Sequence, residues 1–129
     1  MKNLMFFTLL MLTSCDEFAR HEYFVKLHNN SCQNIYCYAA FVLPDTILSF
    51  EKPKLIEVNS MGTGYVYGYD FSDPSFQRLK KEKLTIFIFN KDTVVKNTWD
   101  YIRVNYKILK RIEVNEKDII NMGGSVYYP

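Results

Sequence analysis

Hydrophobic and polar residues alternate along much of this chain with a period of two. Tyr23, Val25 and Leu27 share one face of Tyr23–His28, and Ile35, Cys37, Ala39, Phe41 and Leu43 share one face of the next run. Each run predicts a half-buried strand, and the polar turn Asn29-Asn30-Ser31 between them predicts a hairpin that Pro44-Asp45 ends. Leu55–Val58 predicts a short strand, and Met61-Gly62-Thr63-Gly64 a glycine turn before the strand Tyr65–Tyr69. Ser72-Asp73-Pro74 reads as a helix start, with Phe76 and Leu79 on one face of a short helix through about Lys81. Leu84–Phe89 is apolar on both faces, which predicts the central strand, ended by the Asn90-Lys91-Asp92 turn.

The last third repeats the alternation of strand and short helix. Thr98 can cap a turn holding Trp99 and Ile102, and Tyr106–Ile112 reads as a strand. Asn115 with Asp118 has the form of a capping box, although the acid is Asp rather than Glu or Gln. Ile119 and Ile120 would dock that turn on the sheet. Gly123-Gly124 then releases the chain into a final strand, Ser125–Tyr128, with Pro129 at its end. Val and Ile together number 19 against three Ala, a balance that favours strands over helices. The expected fold is mainly β (α+β): an antiparallel β-sandwich-like single domain over residues 22–129 with two or three short helical turns.

The first 21 residues have another character. Lys2 precedes the apolar run Leu4–Leu12, which ends in Leu12-Thr13-Ser14-Cys15. That run is too short to span a bilayer, which takes about 20 apolar residues, and it has the layout of a secretory signal. Leu-Thr-Ser-Cys resembles the bacterial lipobox, which implies cleavage before Cys15, a thioether-linked diacylglycerol and an N-acyl chain on that cysteine. Residues 1–14 are then a lipoprotein signal peptide and 15–21 an anchor and short linker. The alternative is an ordinary secretory signal with a chance cysteine, or a buried apolar strand. Asp16-Glu17 resembles the surface-export signal of Bacteroides-type bacteria; the same pair also fits an inner-membrane retention signal or a solvated linker. The expected location is the outer membrane, on its periplasmic face or at the cell surface. The linker reaches at most about 20 Å at roughly 3.3–3.6 Å per residue.

With Cys15 carrying lipid, Cys32 and Cys37 remain as a pair in an oxidising compartment, which makes them disulfide candidates. Bridging requires residues 32–37 to bend, because five extended steps cover about 17 Å and bridged Cα atoms lie about 4.4–6.8 Å apart. The alternative is two reduced thiols, with Cys37 packed as a small apolar residue. His28, Cys32 and Cys37 match none of the usual zinc spacings, and neither metal nor non-covalent cofactor is expected.

The chain's 129 residues, 16% aromatic with five Gly and four Pro, exclude a disordered or collagen-like protein. Sixteen basic against 14 acidic side chains give no electrostatic case for nucleic acid. Lys80-Lys81 and Lys110-Arg111 read as solvated surface rather than a headgroup contact. Phosphate loops, the nucleophile elbow and the zinc-protease helix motif are all missing from the sequence. Asp70 with Asp73, or Glu113 with Glu116, could be written as glycosidase carboxylates, yet 14 acids make such pairs inevitable. Tyr65, Tyr67 and Tyr69 are expected on one strand face. Such a stripe is a binding candidate, a platform for sugar rings or an anchor for a partner protein, with ordinary core packing as the alternative.

Trp99, Ile102, Tyr106–Arg111, the turn with Asp118 and the ending Tyr127-Tyr128-Pro129, together with Asn29-Asn30-Ser31 and Pro44-Asp45, resemble small uncharacterised lipoproteins of Bacteroides-type bacteria. The resemblance implies location and fold and assigns no activity. The sequence therefore leads to a lipid-anchored envelope protein that binds another envelope protein or a glycan without catalysis. The alternative is a small envelope hydrolase or inhibitor with an unrecognised site.

Overall fold

The computed structural model of the chain describes residues 23–41, 48–69 and 74–129. Residues 1–22 with Cys15, the Pro44-Asp45 turn, Asp70, Ser72-Asp73 and the side chain of Phe76 lie outside the description. Among the described residues seven strands run in the order β1 (Tyr23–Asn29), β2 (Ile35–Phe41), β3 (Ile56–Val58), β4 (Thr63–Tyr69), β5 (Leu84–Asn90), β6 (Lys110–Val114) and β7 (Ser125–Tyr128). Four short helices join them: α1 (Pro74–Lys81), α2 (Lys91–Lys96), α3 (Trp99–Val104) and α4 (Glu116–Asn121). One sheet has the order β4-β1-β7 and the other β3-β2-β5-β6. All pairings are antiparallel except β1 with β7. The result is the mainly β, sandwich-like α+β fold that the alternation predicts.

Alternation explains the interior. Val25, Leu27 and Val126 of the first sheet meet Ile35, Ile86 and Ile88 of the second in one core, closed by Leu79 of α1 and Ile119 of α4. The other face of the second sheet carries Phe87, Phe89 and Tyr38, covered by Val94 of α2 and by Trp99 and Ile102 of α3. Tyr38 stacks on Phe87 at 5.0 Å, and Trp99 meets Phe89 edge-on at 5.7 Å. The Trp99 indole N–H donates to the Ser49 carbonyl at 2.8 Å, drawing residues after the second strand onto this layer. β5 is thus buried on both faces, which is why its sequence is continuously apolar.

The capping signals form as their residue types require. Thr98 accepts from the Tyr101 N–H, and Asn115 and Asp118 make both arms of a capping box at α4. α4 ends in a Schellman turn, with Gly123 at φ 62° and the Gly124 N–H donating to the Ile119 carbonyl at 2.9 Å. α3 ends in the same geometry on a residue that is not glycine. Tyr106 sits at φ 49°, and the Lys107 N–H donates to the Ile102 carbonyl at 3.0 Å. That turn uses up the residues expected to begin a strand at Tyr106, so β6 starts at Lys110. Asn90 likewise caps α2 rather than ending a simple turn, accepting from the Asp92 N–H at 2.8 Å.

The expected hairpin of the first two strands does not form. β1 pairs with β4 and β7, β2 with β3 and β5, so the chain crosses from one sheet to the other between Asn29 and Ile35. Asn29 is fully buried at that crossing. Its side-chain N–H group faces the carbonyls of Gln33 (2.7 Å), Val58 and Asn59 (both 3.2 Å), and its oxygen accepts from the Ser31 N–H and hydroxyl. Where the sheets close upon each other, Gly64 leaves space for Val58: a Cβ there would lie 2.6 Å from Val58 Cγ2.

Gly64→Ala is therefore expected to cost about 1–3 kcal/mol by overpacking, measured by urea denaturation. Asn29→Asp keeps the shape and removes the donors, leaving a carboxylate among carbonyl oxygens. Its folded-state pKa would rise above the unfolded value of about 4, so the variant's stability relative to the parent falls as pH rises from about 4 to 7. Equal stability of variant and parent across that range would contradict the role given to the amide.

Candidate functional site

The outer face of the three-stranded sheet is built from the residues between the core positions of β1. Val25 and Leu27 point inward, so Phe24, Lys26 and His28 point out. The register places His28 between Thr63 of β4 and Tyr127 of β7, and Lys26 between Tyr65 and Ser125. The His28 ring stands within hydrogen-bond distance of hydroxyls on both neighbouring strands, Nε2 at 3.0 Å from Ser125 Oγ and Nδ1 at 3.0 Å from Thr63 Oγ1. A neutral imidazole donates from one nitrogen and accepts at the other, and each hydroxyl can take either part. The Tyr127 ring stacks on His28 at 4.9 Å. Phe24 meets Tyr65 edge-on at 5.3 Å, with Lys26 Nζ 5.6 Å from the Tyr65 ring centre. Phe24, Tyr65 and Tyr127 are 40%, 59% and 55% exposed.

The tyrosine stripe does not share this face. Val25 pairs with Tyr67 but Lys26 pairs with Tyr65, which leaves Val66 as an extra residue and makes a β-bulge. The bulge reverses the alternation: Tyr65 points out, Val66 points in, and Tyr67 also packs inward against the core, edge-on to Phe41 at 5.6 Å. Tyr69 ends β4 opposite Tyr23, and its side chain lies outside the described residues. Of the three candidates, Tyr65 joins the face and Tyr67 belongs to the core.

The expected Cys32–Cys37 bridge is absent, and both thiols are free. Cys32 is exposed in the crossing segment, whereas Cys37 points into the sandwich interior from the middle of β2. Strand geometry from Ile35 onward fixes Cys37 on the core side, away from the solvent side that holds Cys32. Burial pushes the Cys37 thiol up to about 12. The acidic pair of Glu113 and Glu116 is not a facing pair of free carboxylates either, since Glu113 is bound by Arg111 at 2.7 Å. Among the described residues no group of three or more His, Cys, Asp or Glu could hold a metal, and no helix is long and apolar enough to cross a membrane.

The composition of the face was only partly readable. Phe24, Lys26 and His28 follow from the alternation of β1. Thr63, Ser125 and Tyr127 reach it through pairings that span up to 99 residues, for which local pattern holds no signal. These features define a two-sheet α+β sandwich that presents an aromatic and hydroxyl-bearing sheet face. The chain matches no protein-family model, no curated protein and no solved structure.

Native-state alkylation near pH 8 is expected to label Cys32 and spare Cys37, with both reacting after denaturation. An oxidised pair in the unreduced protein would contradict this.

Proposed function

We propose that the protein is a lipid-anchored envelope protein, held at the outer membrane by acyl chains on Cys15, whose domain is a non-catalytic module that binds a glycan. The lipobox-like Leu12–Cys15 and the short linker support the anchoring. The observation that carries the binding is the outer sheet face, where exposed rings stand beside hydroxyls and an imidazole. Sugars present apolar C–H faces for stacking and hydroxyls for hydrogen bonds, and this face offers partners for both. Tyr65 and Tyr127 stand two strands and one side-chain repeat apart. Strand spacing of about 4.8 Å and a rise of about 3.4 Å per residue put their Cα atoms roughly 12 Å apart, a span for a short run of linked sugar rings. Lys26 and His28 interrupt the apolar surface between the rings, which suits a polar ligand better than a dry protein interface.

One observation favours the hydrolase reading: Ser125 Oγ and His28 Nε2 are at nucleophile-to-base distance. The far side of the ring meets the Thr63 hydroxyl, where a catalytic triad places a carboxylate.

A glycan array followed by calorimetry tests the proposal. Tyr65→Ala and Tyr127→Ala are each expected to weaken binding about 2- to 10-fold, as loss of a ring contact of about 0.5–1.5 kcal/mol requires. Tyr67→Phe should bind as the parent does. An empty array with capture of a protein instead would overturn the glycan assignment. Ester hydrolysis lost in Ser125→Ala would establish the hydrolase.

A further inference from the structure

A different surface occupies the end of the sandwich where the chain comes in. β1 begins there at Tyr23, beside Tyr69 at the close of β4. β5 also begins there, because Leu84 pairs with Phe41 at the end of β2 and with Val114 at the end of β6. α1 leads into β5 at this end, and α4 leads out of β6. α4 then returns to β7 through Gly124, whose carbonyl accepts from the Lys26 N–H at 2.7 Å. α1 and α4 border an open hollow of about 530 Å³. Lys80, Lys81 and Lys83 stand on one wall and Lys117 on the other, against Glu82 and Glu116. Glu82 is ion-paired with Arg78 at 2.6 Å. The processed chain, without Lys2, has 15 basic against 14 acidic side chains, so four lysines against two glutamates make the hollow's lining more basic than the chain as a whole. Ile120, 62% exposed, stands on the rim.

We propose that this end of the domain rests on the membrane, with the lysines against the phosphates of anionic lipid headgroups and Ile120 at the interface. The proposal rests on the anchoring reading. Cys15 lies eight residues before Tyr23, at most roughly 26–29 Å of extended chain, so a lipid on Cys15 keeps the hollow's end of the molecule beside the bilayer. A tether of that length makes the surface contact intramolecular, and a weak lysine attraction is then sufficient to orient the domain. Lys80-Lys81 alone read as solvated surface. The fold adds Lys83, Lys117 and Ile120 to them and sets the group where the chain starts.

The test uses the processed protein purified from membranes and reconstituted in phosphatidylcholine vesicles with or without phosphatidylglycerol, with lysine acetylation as the footprint. Acetylation of Lys81, Lys83 and Lys117 is expected to slow several-fold when phosphatidylglycerol is present and to recover in high salt. Lys107 and Lys110, towards the opposite end of β6, should not change. Lys83→Glu with Lys117→Glu should abolish the protection at Lys81, with the melting temperature as the check on folding; if that variant does not fold, the parent footprint decides. Equal acetylation in both vesicles, or slowing spread over all lysines, overturns the docking. The intact mass reports the anchor separately: a lipid-free Cys15 overturns the anchoring reading, whereas a lipidated protein without protection overturns the docking alone.

Discussion

Asn29 serves five hydrogen-bonding partners with one buried amide, and those partners belong to two of the four places where the described chain changes sheets. Ser31 and Gln33 lie on the crossing from β1 to β2. Val58 and Asn59 lie at the start of the crossing from β3 back to β4. The backbone closes the same knot, with the Asn29 N–H donating to the Gly62 carbonyl at 2.8 Å and the Asn30 N–H to the Tyr128 carbonyl at 2.6 Å. Crossings between packed sheets bring main-chain polar groups to the edge of an apolar interior, where each must find a partner. A short amide with donors and an acceptor on one plane supplies several at once. These bonds hold this end of the two sheets shut while the apolar core fills the space between them.

β5 carries the rest of the architecture. Its even-numbered residues Leu84, Ile86 and Ile88 fill the space between the sheets, and Phe87 and Phe89 form the floor under α2 and α3. The molecule has three layers as a result, two sheets and a thin helical cover. That cover lies over the four-stranded sheet, and the rings of Phe24, Tyr65 and Tyr127 on the three-stranded sheet stay open to solvent. One asymmetry in hydrophobic patterning therefore decides both where the helices dock and which face is left to solvent.

Features set by near neighbours in sequence were legible. Leu84–Phe89 as the central strand, Thr98 and Asn115 as caps, and Gly123-Gly124 as a helix exit each depend on residues within a turn of one another. Two failures have equally physical origins. Val66 is apolar and suits a strand in either phase, so nothing local marks the bulge that turns Tyr67 away from Tyr65. α3 and α4 end in the same Schellman turn, but Tyr106 stands where a glycine would have announced it. The third failure is one of partner choice. Asn29-Asn30-Ser31 is good turn chemistry for a hairpin and equally good for a crossing, and only the packing of both sheets decides between them.

The parallel pairing of β1 with β7 joins the beginning of the domain to its end. Lys26 and Ser125 are neighbours in the sheet although almost the whole domain lies between them in sequence. β1 is the middle strand of its sheet, so until the last residues are available it lacks one side, and His28 lacks the hydroxyl of Ser125. Closing such a distant contact is slow relative to local turns. A partial chain emerging from synthesis cannot complete this sheet. For a protein exported before folding, as the proposed anchoring requires, the three-stranded sheet stays one strand short until β7 has been delivered.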